Sequence, residues 1–403
     1  MKAEQEGLLW LYAKPELAKF TINSLPSPLT GTLIQEGQTI NIDPEGCKDI
    51  DDVITIIPRY QGWDVLVTIA DVANSIVENS PGDLLASQRL QTVYQNGKAV
   101  LPMLPRELSE DQLSLLPGQS RQGIALRFHW SNDGLELQGF EEVQITNQKS
   151  YTYESIYKAD FPIGIVKDIA SHLKGEETND SHEWIEQLML LYNLEAAKVL
   201  LHMKGGLLRT HKPVDKERLE EMDKLHPDLR VFAFESAKYE LTEENKVHAT
   251  LGNQPYTHLS SPLRRYADLV NQRVLKAFLR NESVPTVAES LADALNVQQK
   301  MLKRYDRDLF FLNTILKETT GSVKGLVVSS TEKKTKVYIP SWKRVISVVC
   351  DAQDVGSEVE VEFFADIKKV SWKDRIVFRI RSEYDNKTHD SKQTDKTDCS
   401  ETE

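Results

Sequence analysis

Asn41-Ile42-Asp43-Pro44-Glu45-Gly46-Cys47-Lys48-Asp49-Ile50-Asp51-Asp52 places four aspartates within ten residues. Like charges this close oppose one another: a pair about 4 Å apart costs roughly 1 kcal/mol in bulk water and about 4 kcal/mol at an effective dielectric of 20. Either the stretch is a solvated acidic loop or something positive sits among its carboxylates. The flanks favour the second reading. Thr39 to Ile42 alternates as a strand does, Asp43-Pro44 stops it, and Val53 to Ile57 resumes an apolar run, so the aspartates occupy a short loop anchored at both ends. A hard divalent cation with oxygen ligands is the expected counter-charge, and magnesium, which keeps part of its water shell, suits a site that also holds a phosphate. An EF-hand is a poor fit: Lys48 stands at the sixth position from Asp43, where the turn needs Gly, and Ile54 stands where the bidentate Glu belongs.

The chain of 403 residues is long enough for one large domain and one small one, and 40% apolar with 27% charged residues is an ordinary soluble composition. No stretch approaches about 20 apolar residues, so no membrane span is expected. Met1-Lys2-Ala3-Glu4-Gln5-Glu6-Gly7 carries acids early and lacks a basic start with an apolar core, which predicts a cytoplasmic location. Cys47, Cys350 and Cys399 are far apart and without Cys-x-x-Cys spacing, so neither a disulfide framework nor a zinc site is expected. A net charge of −12 argues against a protein that coats nucleic acid, because backbone binding relies on Lys and Arg. It leaves room for an enzyme whose basic residues line an internal channel, since the local field decides binding.

Along the chain, Leu8 to Leu11 forms a short apolar turn before the break Ser24-Leu25-Pro26-Ser27-Pro28. Val65 to Val72 reads as a buried strand, and a helix is predicted from about Gly82 to Tyr94. Ile124 to Ile145 alternates around Asn132-Asp133-Gly134 and predicts a hairpin. His172 to Ser181 reads as a polar surface loop, and His182 to Met203 as a long helix with a wide apolar face. In Tyr256-Thr257-His258-Leu259-Ser260-Ser261-Pro262-Leu263-Arg264-Arg265-Tyr266-Ala267-Asp268, Ser260 or Ser261 is a natural N-cap and Pro262 fits the first helical position, so a helix is predicted to begin there. Arg264 then falls in the first turn with Asp268 one turn on. The plain reading is a helical ion pair worth about 0.3–0.5 kcal/mol. An arginine at the positive end of a helix dipole makes more sense where an anion binds, forked by the guanidinium and helped by helix N-terminal amides. A long helix from about Thr286 to Glu318 follows. Five β-rich runs between Gly321 and Arg381 then suggest an OB-type barrel, with Lys333, Lys334, Lys336, Lys343, Arg344, Lys368, Lys369 and Lys373 around Tyr338 and Trp342. Asp385 to Glu403 has no aliphatic residue and no Phe, Tyr or Trp, and is expected to be disordered.

From about residue 38 to 382 the chain resembles the ribonuclease II/R (RNB) family. The acidic stretch is similar to that family's pattern of Ile-Asp-Pro, four variable residues, Asp, one residue, Asp-Asp. Leu101 to Ser109 looks like its Pro-Met-Leu-Pro element, and Leu207 to Pro213 like its Arg-x-His-x-Pro strand. Tyr256 to Asp268 resembles Tyr-x-His-x-(Thr/Ser)-Ser-Pro-x-Arg-(Arg/Lys)-Tyr-x-Asp. Two departures stand out: Gln187 replaces the second Glu of a Glu-Glu-x-Met-x-x-x-Asn helix, and Gln272 replaces a usual His.

The resemblance implies an α+β fold: a short N-terminal segment (1–37), an RNB catalytic domain of mixed sheets and long helices around an RNA channel (38–319), an OB-type RNA-binding domain (320–382) and a tail (383–403). The family's catalytic domain usually follows cold-shock-type barrels, so the chain is expected to be a short form in which that substrate-capturing module is either missing or supplied by a protein partner. The implied activity is 3′-to-5′ hydrolysis of single-stranded RNA to nucleoside 5′-monophosphates, using two Mg2+ ions about 3.5 to 4 Å apart, with Mn2+ as a substitute. Asp43, Asp49 and Asp52 are the implied main metal ligands, and Asp51 is implied either as a further ligand or as the residue that orients the attacking water. Arg264 would balance charge on the phosphate and Tyr94 would hold the scissile nucleotide. Tyr153, Arg265, Glu186 and Arg209 join Tyr94 and Arg264 as implied RNA contacts, Tyr153 by stacking worth about 1–3 kcal/mol per base. A rival reading is an RNA-binding subunit that keeps the fold without the activity, marked by Gln187, Gln272 and the missing barrels; four intact aspartates speak against it. A metal-binding structural protein without RNA leaves the Arg264 motif and the C-terminal barrel unexplained.

Overall fold

The computed structural model describes residues 5, 7–9, 30–366, 368, 369 and 375–381. The expectations for the tail and for most of segment 1–37 lie outside the described residues. The chain divides into two compact units, one of residues 13–213 and 236–301, the other of residues 1–12, 214–235 and 302–403.

In the first unit, β1 (Thr32–Leu33), β2 (Gln38–Ile42), β3 (Asp52–Arg59) and β4 (Gly62–Ala70) lead to helix α1 (Pro81–Arg89) and a small ribbon of β5 (Val93–Gln95) and β6 (Lys98–Leu101). The hairpin β7 (Ser120–Ser131) and β8 (Gly134–Thr146) and the short β9 (Lys149–Tyr151) follow. Seven of these strands form one sheet in the order β1-β8-β7-β4-β3-β2-β9. It is antiparallel within β2-β3-β4-β7-β8 and parallel at its two edges. Successive side chains of a strand point to opposite faces, and both faces here are covered. Val53, Ile57 and Leu66 pack with Met103 and Leu104 on one side; Ile54, Ile56, Val65, Val67 and Ile69 pack on the other against Trp184, Leu188 and Tyr192. Each such buried side chain contributes about 1.5–3 kcal/mol, which holds the ends of β2 and β3, and the acidic loop between them, in a fixed frame.

The covering helices are α2 (Ile163–Lys174) and α3 (Ser181–Met203). His172 to Lys174 therefore ends a helix instead of opening a loop: Ile165, Val166, Ile169 and Ala170 make its buried stripe, and Gly175 terminates it at φ +78°. Strand β10 (Leu207–Thr210) and, after the helix α4 (Lys216–Leu225) of the second unit, β11 (Lys238–Leu241) pair antiparallel, followed by α5 (Tyr266–Arg280) and α6 (Glu289–Lys317).

Two helix boundaries differ from expectation for one shared reason. Helix α1 stops at Arg89, Leu90 turns left-handed at φ 61°, and Tyr94 pairs with Ala99 in the β5–β6 ribbon. Helix α5 starts at Tyr266, not at Pro262, with Arg265 extended at φ −133°, ψ 125°. The segments pair with each other: Thr92 N–H donates to Arg264 O (2.9 Å) and Tyr266 N–H to Leu90 O (2.9 Å). Long-range backbone pairing has overridden the local capping signal, so Arg264 sits in a turn before the helix and the dipole argument for it does not apply.

In the second unit, β12 (Thr320–Ser330), β13 (Thr335–Ile339), β14 (Arg344–Val348), β15 (Glu358–Ala365) and β16 (Ile376–Ile380) form an antiparallel sheet in the order β14-β13-β12-β15-β16. Its edge strands β14 and β16 come into contact, the curl of an OB-type barrel. Gly325 permits that curl on β12, because a Cβ there would fall 2.4 Å from Val337 Cγ1. Phe311, Val337, Ile339, Ile346, Val348 and Val361 fill the interior. The segment 214–235, which carries α4, packs on the barrel: Leu225 lies against Gly356, and Phe232 meets Tyr338 edge-on with centroids 5.2 Å apart. Among the described residues no helix is long and apolar enough to cross a membrane.

Candidate active site

Asp43 follows directly on β2 and Asp52 opens β3, so the sheet fixes both ends of the acidic loop. Both carboxylates line a cavity of about 540 Å3 whose other walls include Tyr153, His182, Glu186, Tyr256, Arg264 and Arg265. Asn41 on β2, two residues before Asp43, donates from Nδ2 to Asp43 Oδ2 (2.9 Å).

Asp51 stands behind this wall, 3% exposed. Its Oδ1 accepts from Leu263 N–H (3.0 Å) and its Oδ2 from Arg264 Nε (3.0 Å), so one carboxylate fixes the turn and aims the guanidinium. Arg264 Nη2 also donates to Ser261 Oγ (3.0 Å), while the side chain remains 44% exposed. Asp49 accepts a short hydrogen bond from the Tyr94 hydroxyl on Oδ2 and a weak one from Cys47 Sγ (3.6 Å) on Oδ1.

The electrostatics are those of crowded, poorly hydrated acids. Burial pushes the Asp51 carboxyl up to about 7 against the opposing pull of Arg264 and the Leu263 amide. Burial, then repulsion from Asp43 and Asp51, raises Asp52 well above the usual carboxylate range. Asp43 is also raised by burial, partly offset by Asn41 and Arg264. Burial, with Asp43 and Asp52 nearby, pushes the Tyr153 phenol up to about 12.

Of the residues singled out in the sequence, Asp43, Asp52, Tyr153, Glu186, Arg264 and Arg265 meet at the cavity. Asp51 reaches it through Arg264, and Tyr94 is tied to Asp49. Arg209 is placed elsewhere: it is buried on β10, its guanidinium 4.7 Å from the centroid of the Tyr239 ring, and does not line the cavity. Arg265 pairs with Asp268 through Nε (3.1 Å) and Nη2 (2.7 Å). The two family departures are accounted for by position. Gln187 is not on the cavity wall. Gln272 is fully buried, accepting from Ala73 N–H (2.9 Å) and donating to Ala70 O (2.8 Å), where it pegs α5 to the end of β4.

Three contributors were not foreseen. The His182 ring stacks on Tyr153 at 3.8 Å and 10°; a polar aromatic opening a helix beside the acids carries little signal on its own. Asn41 was findable, since i and i+2 on a strand share a face. Cys47 drew notice in the sequence only as a cysteine without disulfide or zinc-site spacing.

The sequence pattern of the RNB domain matches residues 32–160 and 162–281. The chain belongs to the RNB domain family. Exoribonuclease 2 of Aeromonas hydrophila is 26% identical over 350 residues, covering 66% of this chain and 51% of that protein, so the chain spans about half the length of this curated relative. Among solved structures, Mycoplasma genitalium RNase R in complex with ribose methylated single-stranded RNA matches with a TM-score of 0.72 and 17% identity, over 94% of this chain and 78% of that one. Yeast Ssd1, a pseudonuclease, matches with a TM-score of 0.70 and 16% identity, over 90% and 58% of the two chains.

Proposed function

We propose that the chain is a divalent-metal-dependent exoribonuclease that shortens single-stranded RNA from its 3′ end and releases nucleoside 5′-monophosphates. The observation that carries this reading is the shared wall of Asp43, Asp52 and Arg264, with Asp51 locking Arg264 from behind. The fold likeness extends to a pseudonuclease as well as to nucleases, so the intact acids, and not the fold, favour catalysis.

The donor set suits a hard cation. Asp43 and Asp52 repel each other at the cavity wall, and among the described residues no three His, Cys, Asp or Glu side chains are gathered into a ready cage. Magnesium binds through one or two carboxylates and completes its shell with water and phosphate oxygens. When bound, such ions supply Lewis-acid polarisation of the phosphate and a more acidic water. Asp43 and Asp52 would hold them, with Asp49 in support. Arg264 presents its outer edge to the phosphate, a fork suited to an anionic partner. Tyr153, backed by His182, offers a flat surface to a base, and Tyr94 orients Asp49. The test is incubation of a single-stranded oligoribonucleotide with and without Mg2+, with products identified by chromatography. Nucleoside 5′-monophosphates formed only with the metal support the reading; an intact oligonucleotide under every divalent condition favours an RNA-binding protein without activity.

A further inference from the structure

A second cavity, of about 190 Å3, shares Arg265 with the acidic one as a lining residue. Leu90, Ala267 and Leu295 supply its apolar surface, and Gln91, Gln298, Gln299, His258 and Tyr239 supply its polar groups. The amides of Gln91, Gln298 and Gln299 have no side-chain hydrogen bond among the described residues, although all three side chains are half-buried. Each carries two donors and an acceptor. The Tyr239 hydroxyl and His258 Nδ1 share a 2.6 Å hydrogen bond, so the imidazole turns Nε2 to other partners. Burial, with Arg265 and Arg209 beside it, holds that imidazole neutral.

None of the three amides is a buried group left unpaired, so a molecule from solution can hydrogen-bond them without breaking an internal bond. Water could do so, but three amides and an imidazole set around an apolar surface form a pattern with more information than water needs. They match a flat heterocycle that carries donors and acceptors on its edge and apolar faces, the way proteins read an extruded base. Size narrows the choice: a cavity of about 150 Å3 accommodates benzene, so this one suits a single-ring base better than a fused one. Arg265 lines both cavities, and its Nη1, outside the pairing of Nε and Nη2 with Asp268, is the donor it offers to a phosphate attached to that base.

We propose that the second cavity binds a pyrimidine nucleoside 5′-monophosphate, with its base among Gln91, Gln298 and Gln299 and its phosphate at Arg265. It rests on the exonuclease reading only for the source of the ligand, the released product. Occupancy places a product phosphate beside the catalytic cavity, so the nucleotide inhibits hydrolysis.

The test is calorimetric titration of the whole chain, without RNA or divalent metal, with UMP, CMP, AMP and inorganic phosphate in turn. UMP and CMP are expected to bind more tightly than AMP, and Gln298→Leu and Gln299→Leu are each expected to weaken UMP about tenfold. Neither glutamine touches the acidic cavity, so both variants are expected to hydrolyse RNA at the wild-type initial rate with weaker inhibition by added UMP. Phosphate binding as tight as UMP, UMP affinity unchanged in both variants, or no binding of any of the four would overturn the assignment. Because binding is read without turnover, UMP bound by a chain inert towards RNA would support the cavity and sink the exonuclease reading, whereas hydrolysis without UMP binding would do the reverse.

Discussion

Arg264 Nε donates to Asp51 Oδ2 at 3.0 Å while the other Asp51 oxygen accepts from the amide of Leu263 at 3.0 Å, so a single buried carboxylate sets both the turn and the direction of the guanidinium. In Asp51→Asn, an oxygen kept towards Leu263 leaves the new amide N–H2 facing the guanidinium, donor against donor. Arg264 then loses its anchor, and misplacing such a group costs about 100-fold or more in rate. The expected result is near-complete loss of hydrolysis with RNA affinity kept or slightly raised, because one negative charge is gone. Parallel single-turnover and filter-binding measurements check it; wild-type turnover in the variant would contradict the role given to this pair.

The Tyr94 hydroxyl donates to Asp49, and Arg264 lies near enough to act on the phenol electrostatically. Tyr94→Phe keeps the ring and frees the carboxylate. Hydrolysis is expected to need more Mg2+ for half-maximal rate and to be slower by about tenfold at saturation, with little change in melting temperature, as one hydrogen bond is worth about 1 kcal/mol. An unchanged Mg2+ titration would remove Tyr94 from the site.

The raised carboxyls make stability depend on pH. A group whose folded pKa lies above its unfolded value stabilises fully below the unfolded pKa and loses that contribution as pH rises through the folded one. For Asp51 the window runs from about 4 to about 7; Asp43 and Asp52 are shifted the same way. Without divalent metal, Asp52→Asn is therefore expected to melt higher than wild type at pH 8, with the gap closing towards pH 5. Adding Mg2+ at pH 8 is expected to raise wild type more than the variant. A gap of equal size at both pH values would show that Asp52 is not the strained acid described here.

Much of this was legible locally. The alternation of Thr39 to Ile42, the Asp43-Pro44 stop and the apolar run from Val53 predicted two strands flanking an acid loop, and β2 and β3 are found there. The five β-rich runs after residue 320 likewise became five strands. What could not be read locally was set by distant partners. The start of α5 depends on Leu90 and Thr92, and the ribbon holding Tyr94 depends on Ala99. Gln272 looked like a lost catalytic group, and only its bonds to Ala70 and Ala73 reveal a peg. Segment 214–235 gave no sign of belonging with the barrel, because Phe232 and Leu225 are indistinguishable in sequence from ordinary helix residues.

Lys333, Lys334 and Lys336 are exposed at and beside the turn between β12 and β13, the part of an OB barrel that meets oligonucleotides. Replacing all three by Gln is expected to make the salt dependence of RNA binding shallower by about 2 in log–log slope, from about 0.7 per neutralised phosphate. Substitution is preferred to truncation, which would uncover Leu225 and Phe232. An unchanged slope would assign that face to packing.

If the cavity of Asp43, Asp52 and Arg264 cuts RNA one nucleotide at a time from a free 3′ end, a single end-polarity assay reveals it. A linear single-stranded RNA labelled at its 3′ terminus and a circular RNA of the same sequence are incubated with the chain and Mg2+. The 3′ label is expected to appear at once as a mononucleotide while the circle stays intact; cleavage of the circle as the main activity, or release of label first in long fragments, would rule out an exonuclease acting from the 3′ end.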